Sequence, residues 1–116
     1  MRAKLVKESI LKGPSKEEIY SRIENLEPNE MLTKSAEHGF LKGVKKALEQ
    51  DADIHIGENL ALRWASKYGH LDVVKYLVEQ GADIHATNDV ALHLASRYGH
   101  LDVVKYLKSK MKEDEN

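Results

Sequence analysis

The chain has 116 residues, of which 41% are hydrophobic, 32% charged and only 6% aromatic, a balance that suits one soluble domain with a helical-style core of Leu, Val, Ile and Ala. Lys plus Arg number 18 against 19 Asp plus Glu, with both signs interspersed, so there is no basic block to track phosphates and nucleic acid is not an expected partner. The chain has no Cys, which excludes disulfides, thiolate zinc sites and cysteine nucleophiles and fits a reducing compartment.

The N-terminal stretch MRAKLVKESILKG carries charges at residues 2, 4, 7, 8 and 12, which deny it the unbroken apolar core of a secretory signal. No apolar run approaches the roughly 20 residues that span a bilayer. Both features point to a cytoplasmic protein, in its own cell or in a host's, with no membrane partner. Residues 3–26 read as two helices capping whatever follows. LVKESIL is amphipathic, Gly13-Pro14 breaks it, and Ser15 with Glu18 forms a capping-box pattern that starts a second helix carrying Ile19, Ile23 and Leu26. The other reading makes residues 1–12 a loose arm that orders on a partner.

From there the chain repeats itself. Asn59 to Leu77 (NLALRWASKYGHLDVVKYL) laid over Asp89 to Leu107 (DVALHLASRYGHLDVVKYL) matches at 14 of 19 positions with an interval of 30 residues. A further step back lands on Asn29 to Ile56, where Leu32, Gly39, Leu41, Val44, Ala52, Asp53 and His55 keep the register. Three units follow, over residues 27–56, 57–86 and 87–108. Within a unit the signals are helix, tight turn, helix, loop. Asp89 is placed to N-cap a helix with Leu92 and Ala95 on its apolar face, beside Val90 and Leu94. Gly99 ends that helix, because glycine takes the left-handed conformation of a helix terminus at little cost. Leu101, Val104 and Leu107, with Val103, form the face of the second helix, and Gly81 closes its counterpart in the second unit. Helices this short are marginal alone, so the units must stack into a solenoid.

ALHLASRYGHLDVVKYL and YGHLDVVKYLVEQGADIHA resemble the ankyrin repeat, with its Leu-His-x-Ala helix start, Gly-His turn, Leu-x-Val-Val second helix and Gly-Ala-Asp exit. The resemblance covers roughly residues 27–108. It implies an all-α solenoid of stacked helix-turn-helix units. Two departures stand out. The period is 30 residues where about 33 is typical, which predicts a clipped hairpin loop with little or no β structure. The Thr-Pro that precedes Leu-His in the family is replaced by Val90-Ala91 and by Leu60-Ala61, so a threonine-to-histidine bond cannot form at His93. Units this short most resemble ankyrin arrays of viral and bacterial proteins. After the third unit, Lys108, Ser109, Lys110 and Met111 stand where Val78, Glu79, Gln80 and Gly81 stood; the sequence reads as a polar tail over 109–116 and a natural stop.

The candidates for chemistry read as scaffold. His70 and His100 follow the turn glycines, where the resemblance implies a structural tie to a neighbour's backbone. His55 and His85 sit on layers roughly 8–10 Å apart, too far for rigidly stacked imidazoles to share one zinc at about 2 Å. Ser66 with His70 and Ser96 with His100 repeat the same pair across a helix-breaking glycine, unlike a single oriented triad. No phosphate-cradling loop is present. The expectation is a protein without catalytic residues, cofactor or metal.

The resemblance implies instead a partner protein docked on the concave side. That side comprises the residues before the turn glycines, the helix starts and the loop tips: Glu37 and His38, Lys67 and Tyr68, Arg97 and Tyr98, with Asn59 and Asp89 at helix starts and Glu58 and Asn88 at tips. Arg63, where the family has histidine, is set to reach the groove. Tyr and Arg are enriched in binding hot spots, although Tyr68 and Tyr98 also suit packing against the adjacent unit. Trp64 aligns with Leu94 and is expected in the core. The expected function is that of a small monomeric adaptor or inhibitor, with a host factor among its candidate targets. A competing expectation is an assembly or stability subunit docking through its N-terminal helices.

Overall fold

Residues 13–114 are described in the computed structural model, and within them the chain forms seven helices and no strand. A single short helix, α1 (Lys16–Ile23), precedes three helical pairs: α2 (Pro28–His38) with α3 (Leu41–Glu49), α4 (Ile56–Lys67) with α5 (Leu71–Glu79), and α6 (Ala86–Arg97) with α7 (Leu101–Asp114). The expectations for residues 1–12 fall outside the described residues.

Ser15 caps α1 as its sequence suggests, its Oγ accepting from the Glu18 amide at 3.2 Å. Ile23 is buried, and Ile19 and Leu26 pack beside it, so α1 covers the first unit. The fit depends on Gly43, which stands where the later units have Val73 and Val103. A Cβ there would collide with Ser35 and press within 3.2 Å of the Tyr20 ring.

Alanine governs the stacking of the first helices. Ala36, Ala61, Ala65 and Ala95 are fully buried, and side chains this small let helices approach closely. The second helices fill their side of the core with Val44, Val73, Val74, Leu77, Val103 and Leu107. Because α2, α4 and α6 pack more intimately with one another than α3, α5 and α7 do, the stack curves with the first helices on its inner side. The radius of gyration is 16.0 Å, above the roughly 13 Å of a compact globule of about 100 residues. Two sequence expectations need correction. In α6 the buried positions are Ala91 and Ala95, with Leu92 and Leu94 only half-buried, and in α7 Leu101 is 68% exposed while Val103 and Leu107 are buried. The counterpart of Leu101 in the middle unit, Leu71, is half-buried against the core.

The turn between the helices of each pair carries the main bond between units. Gly39, Gly69 and Gly99 all take a left-handed φ near +75° (77°, 74° and 76°). The residue after each glycine donates its amide back to the helix just ended, Phe40 to Ser35, His70 to Ala65 and His100 to Ala95, at 2.8–2.9 Å, the closure expected of a glycine-terminated helix. His70 and His100 then reach backwards across the stack. His70 Nε2 donates to the Glu37 carbonyl at 3.0 Å, and His100 Nε2 donates to the Lys67 carbonyl at 2.8 Å. A carbonyl only accepts, so Nε2 carries the proton in both. Each ring lies over the preceding unit's glycine, where a Cβ at Gly39 would come within 2.6 Å of His70 and one at Gly69 would meet His100 closer still. The structural reading of these histidines is therefore borne out. Phe40 replaces the histidine in the first unit and packs edge-on against Tyr20 of α1, with centroids 5.6 Å apart at 88°. On the outer side, Lys45 lies 5.3 Å from the Tyr76 ring centre and Lys75 lies 5.7 Å from that of Tyr106, a second contact that repeats from unit to unit.

The loops between units are as short as the period implies. Residues Gly57, Glu58 and Asn59 all have φ between 57° and 61°, and Thr87, Asn88 and Asp89 lie between 54° and 62°, so one left-handed turn stands in place of a hairpin. Such φ values are unfavourable for side chains other than glycine. They are held by side-chain bonds: the Asp83 amide donates to Asn59 Oδ1 at 2.9 Å, as Asp53 donates to Asn29 Oδ1 at 2.7 Å. Asp89 is thus no N-cap. Its backbone is left-handed, and its carboxylate lies 2.6 Å from His85 Nδ1. The polar C-terminal segment is helical, α7 continuing to Asp114. Met111 replaces the glycine that ended α5, and Lys, Met and Glu are good helix formers.

Gly69→Ala and Gly99→Ala separate backbone strain from the space the histidine needs. Both force alanine into a left-handed φ, at about 1 kcal/mol, but only Gly69 lies beneath a histidine. In urea unfolding, Gly99→Ala is expected to lose about 1 kcal/mol and Gly69→Ala about 2–4 kcal/mol; equal losses would show that the ring does not depend on the bare glycine.

Candidate functional site

The first helices place their exposed side chains along the inner face, and one cluster there is dense. Lys67, in the last turn of α4, has Nζ 5.1 Å from the Trp64 ring centre, 5.3 Å from that of Tyr68 and 5.5 Å from that of Tyr98. Trp64 and Tyr68 stack at 5.9 Å and 15°, four residues apart on one side of the helix. Tyr98 comes from the end of α6, so the cluster bridges two units. Beside it lies a cleft of about 160 Å³ lined by Leu60, Arg63, Trp64, Lys67 and Leu94. Arg63 Nη1 donates to the Gly57 carbonyl at 3.3 Å, while its Nε is buried without a protein partner. Tyr68 and Tyr98 are 44% and 50% exposed.

Of the residues singled out in the sequence, Arg63, Lys67, Tyr68 and Tyr98 therefore come together. Arg97 continues the row as an exposed side chain on α6. Glu37 and His38 lie at the other end. Glu37 pairs with Lys34 at 3.7 Å, and His38 stacks on Phe40 at 5.8 Å and borders an apolar cavity of about 380 Å³ with Pro14, Ile19, Ile23 and Leu26. Glu58 and Asn88 are exposed on the loop turns, where Glu58 Oε2 accepts from Thr87 Oγ1 at 3.0 Å. Asn59 is removed from the accessible set. It is buried, and its Oδ1 is taken by the Asp83 amide and lies 3.2 Å from His55 Nδ1. Asp89 is engaged by His85.

Trp64 is the residue that the sequence misplaced. The positions buried in α4 are Ala61, Leu62 and Ala65, so Trp64 points outward and lines the cleft. Leu94 does the same from α6, which makes their alignment a matter of groove lining. The signal was present, since Leu62 and Ala65 at i and i+3 already complete a buried stripe.

At the far end of the stack, His85 Nδ1 lies 2.6 Å from Asp89 and Nε2 lies 3.4 Å from Asp114, while the His85 amide donates to Asp83 Oδ1 at 2.9 Å. The hydrogen bond to Asp89, aided by both carboxylate charges, raises the pKa of His85 above its ordinary 6.5. Among the described residues no group of three His, Cys, Asp or Glu is placed to hold a metal ion, and no helix is long and apolar enough to cross a membrane.

A helix-turn-helix unit repeated in register, with Gly-His turns tying each unit to the one before and first helices packed closely on one another, defines a helical-pair solenoid. A family model described as ankyrin repeats in three copies matches residues 3–88 and again residues 32–116, and the chain belongs to the ankyrin repeat family. No curated protein matches it. Ankyrin repeats are generally modules of protein–protein interaction, and as a family they bind and do not catalyse.

Two measurements check these assignments. Trp64→Leu is expected to change stability by no more than about 1 kcal/mol, since Trp64 is half-buried at the cleft, leucine restores part of its apolar contact, and the stack and cation–π contact are what is lost, whereas Leu62→Ala costs about 2–5 kcal/mol. A loss at Trp64 as large as that at Leu62 would return it to the core. A histidine with a raised native pKa adds stability that is full below its unfolded value and fades as pH rises through the native one. The stability difference between wild type and His85→Gln is therefore expected to be larger at pH 6 than at pH 8, and a difference flat across that window would dissociate His85 from Asp89 in solution.

Proposed function

We propose that this chain acts by occupying a surface of another protein with its concave face, as an adaptor or an inhibitor, with a host factor among the targets that such a role admits. The observation that supports this reading is the cluster at the α4–α6 boundary. The core needs none of Trp64, Tyr68 or Tyr98, yet three rings and a lysine are gathered on the inner face, and Tyr, Trp and Arg are the residue types on which binding energy concentrates. The contact set is Arg63, Trp64, Lys67, Tyr68, Arg97 and Tyr98, with Glu58 and Asn88 at the rim and Glu37 and His38 at the other end.

A second reading has its own support in the apolar cavity beside α1, lined by Ile19, Ile23, Leu26 and His38. Through it the chain would join a larger assembly by its N-terminal helices.

The two readings diverge in a capture experiment from lysate of the source or host cell. Lys67→Glu/Arg97→Glu, with helicity checked by circular dichroism, is expected to lose the captured protein, and deletion of residues 1–12 is expected to retain it. The reverse pattern would move the interface to the N-terminal helices and overturn the first reading.

A further inference from the structure

We infer that the cleft between α4 and α6 anchors one particular element of the partner: an acidic residue adjacent to a large apolar one in an extended peptide segment. The inference rests on the concave face being the binding surface and specifies what that face recognises.

Size comes first. A cleft of about 160 Å³ is well below the roughly 300–1,000 Å³ of pockets that enclose small molecules and cofactors, and it suits a single side chain. Its floor is apolar, made by Leu60, Leu94 and the Trp64 ring, so that side chain is aliphatic or aromatic. Charge comes second. Arg63 and Lys67 line the cleft and no carboxylate does, and among the described residues neither cation has an ion-pair partner. Lys67 faces three rings. Arg63 has one nitrogen on the Gly57 carbonyl and leaves Nε buried with nothing to donate to. The second terminal nitrogen of the guanidinium is neither bonded nor buried, and a carboxylate laid across the cleft mouth accepts from it while pairing with Lys67, a charge-assisted contact stronger than a neutral one. A planar guanidinium is suited to this recognition. Nucleic acid is the poorer occupant. Rings and cations at one spot would suit a stacked base, but Glu37 occupies the position of Lys67 and Arg97 in the first unit, so no continuous phosphate track runs along the groove.

The test is a selection of displayed random dodecapeptides on the full chain. Enriched peptides are then synthesised and titrated while the emission of Trp64, the single tryptophan, is followed. The expected peptides place Asp or Glu beside Leu, Ile, Met or Phe and change Trp64 emission saturably. Replacing their acid by the amide is expected to weaken binding roughly tenfold, and that difference is expected to collapse in Arg63→Gln and in Lys67→Gln, each checked for native helicity. Lys67 is half-exposed, so its variant keeps the test valid even if Arg63→Gln folds poorly. No enrichment, enrichment without an acid, unchanged Trp64 emission on binding, or preferential capture of single-stranded oligothymidylate at the cleft would each overturn the inference. Peptides retained by both cleft variants but lost in Arg97→Glu/Tyr98→Ala would remove the cleft and leave the concave-face reading standing. Peptides held equally by every variant would remove both.

Discussion

The histidine clasp over a bare glycine is the contact on which the stack depends. The second helices of the first two units span nine residues each, Leu41–Glu49 and Leu71–Glu79, too short to persist in isolation. Their stability must come from neighbours, and the clasp supplies a directional bond where the neighbours meet. The Glu37 and Lys67 carbonyls belong to the last turns of α2 and α4, where the helix ladder leaves acceptors unsatisfied. The imidazoles of His70 and His100 satisfy them at 3.0 and 2.8 Å. Gly39 and Gly69 have two tasks at the same point, taking the left-handed φ that ends the helix and leaving out the Cβ that would block the ring. Because each clasp joins a donor in one unit to an acceptor in the unit before, neither half has value alone, which is the physical origin of cooperativity in repeat arrays. The first unit confirms the logic by exception: with α1 before it in place of a helical pair, the position holds Phe40, whose ring packs on Tyr20.

The shortened loops carry an opposing cost. Three successive left-handed residues at 57–59, and again at 87–89, are each disfavoured by roughly 1–2 kcal/mol unless glycine or asparagine softens them, and Thr87 at φ 54° is the least suited of the six. Asn59 offsets part of that cost, because its buried amide oxygen receives the Asp83 amide of the next loop. A turn held this way projects no hairpin finger. The inner face is left to be shaped mainly by the helices themselves, which is why the aromatic cluster sits on α4 and at the end of α6.

What was legible in the sequence and what was not divide along a physical line. The 30-residue interval, the turn glycines and the histidines after them are local or periodic, and the structure matches each of those expectations. Trp64, Asn59, Asp89 and Leu101 were misread for reasons that alignment between units cannot repair. Matching Trp64 to Leu94 showed that the two are equivalent without showing which way both point, and the answer lay in the alanines at 61 and 65 that bring the helices together. Asn59 and Asp89 look like caps because capping residues and left-handed residues are drawn from the same short polar types; only the closure of a loop three residues short of the usual length selects the second conformation. Leu101 has the pattern of a core residue, and its burial depends on a neighbour that its own helix cannot specify.

Position 67 shows how such a stack can vary what it presents without loosening. The Lys67 carbonyl accepts from His100 and belongs to the stack, while its side chain turns the other way into the ring cluster. The backbone contribution is indifferent to the side chain, and the same position holds Glu37 one unit earlier and Arg97 one unit later. The clasp at Glu37 is formed just as well with the opposite charge outside it. The inner face therefore runs from an acidic side chain in the first unit to basic ones in the second and third, at no expense to packing. The stack and the surface are thus specified by different atoms of the same residue, the carbonyl by the clasp and the side chain by nothing in the core.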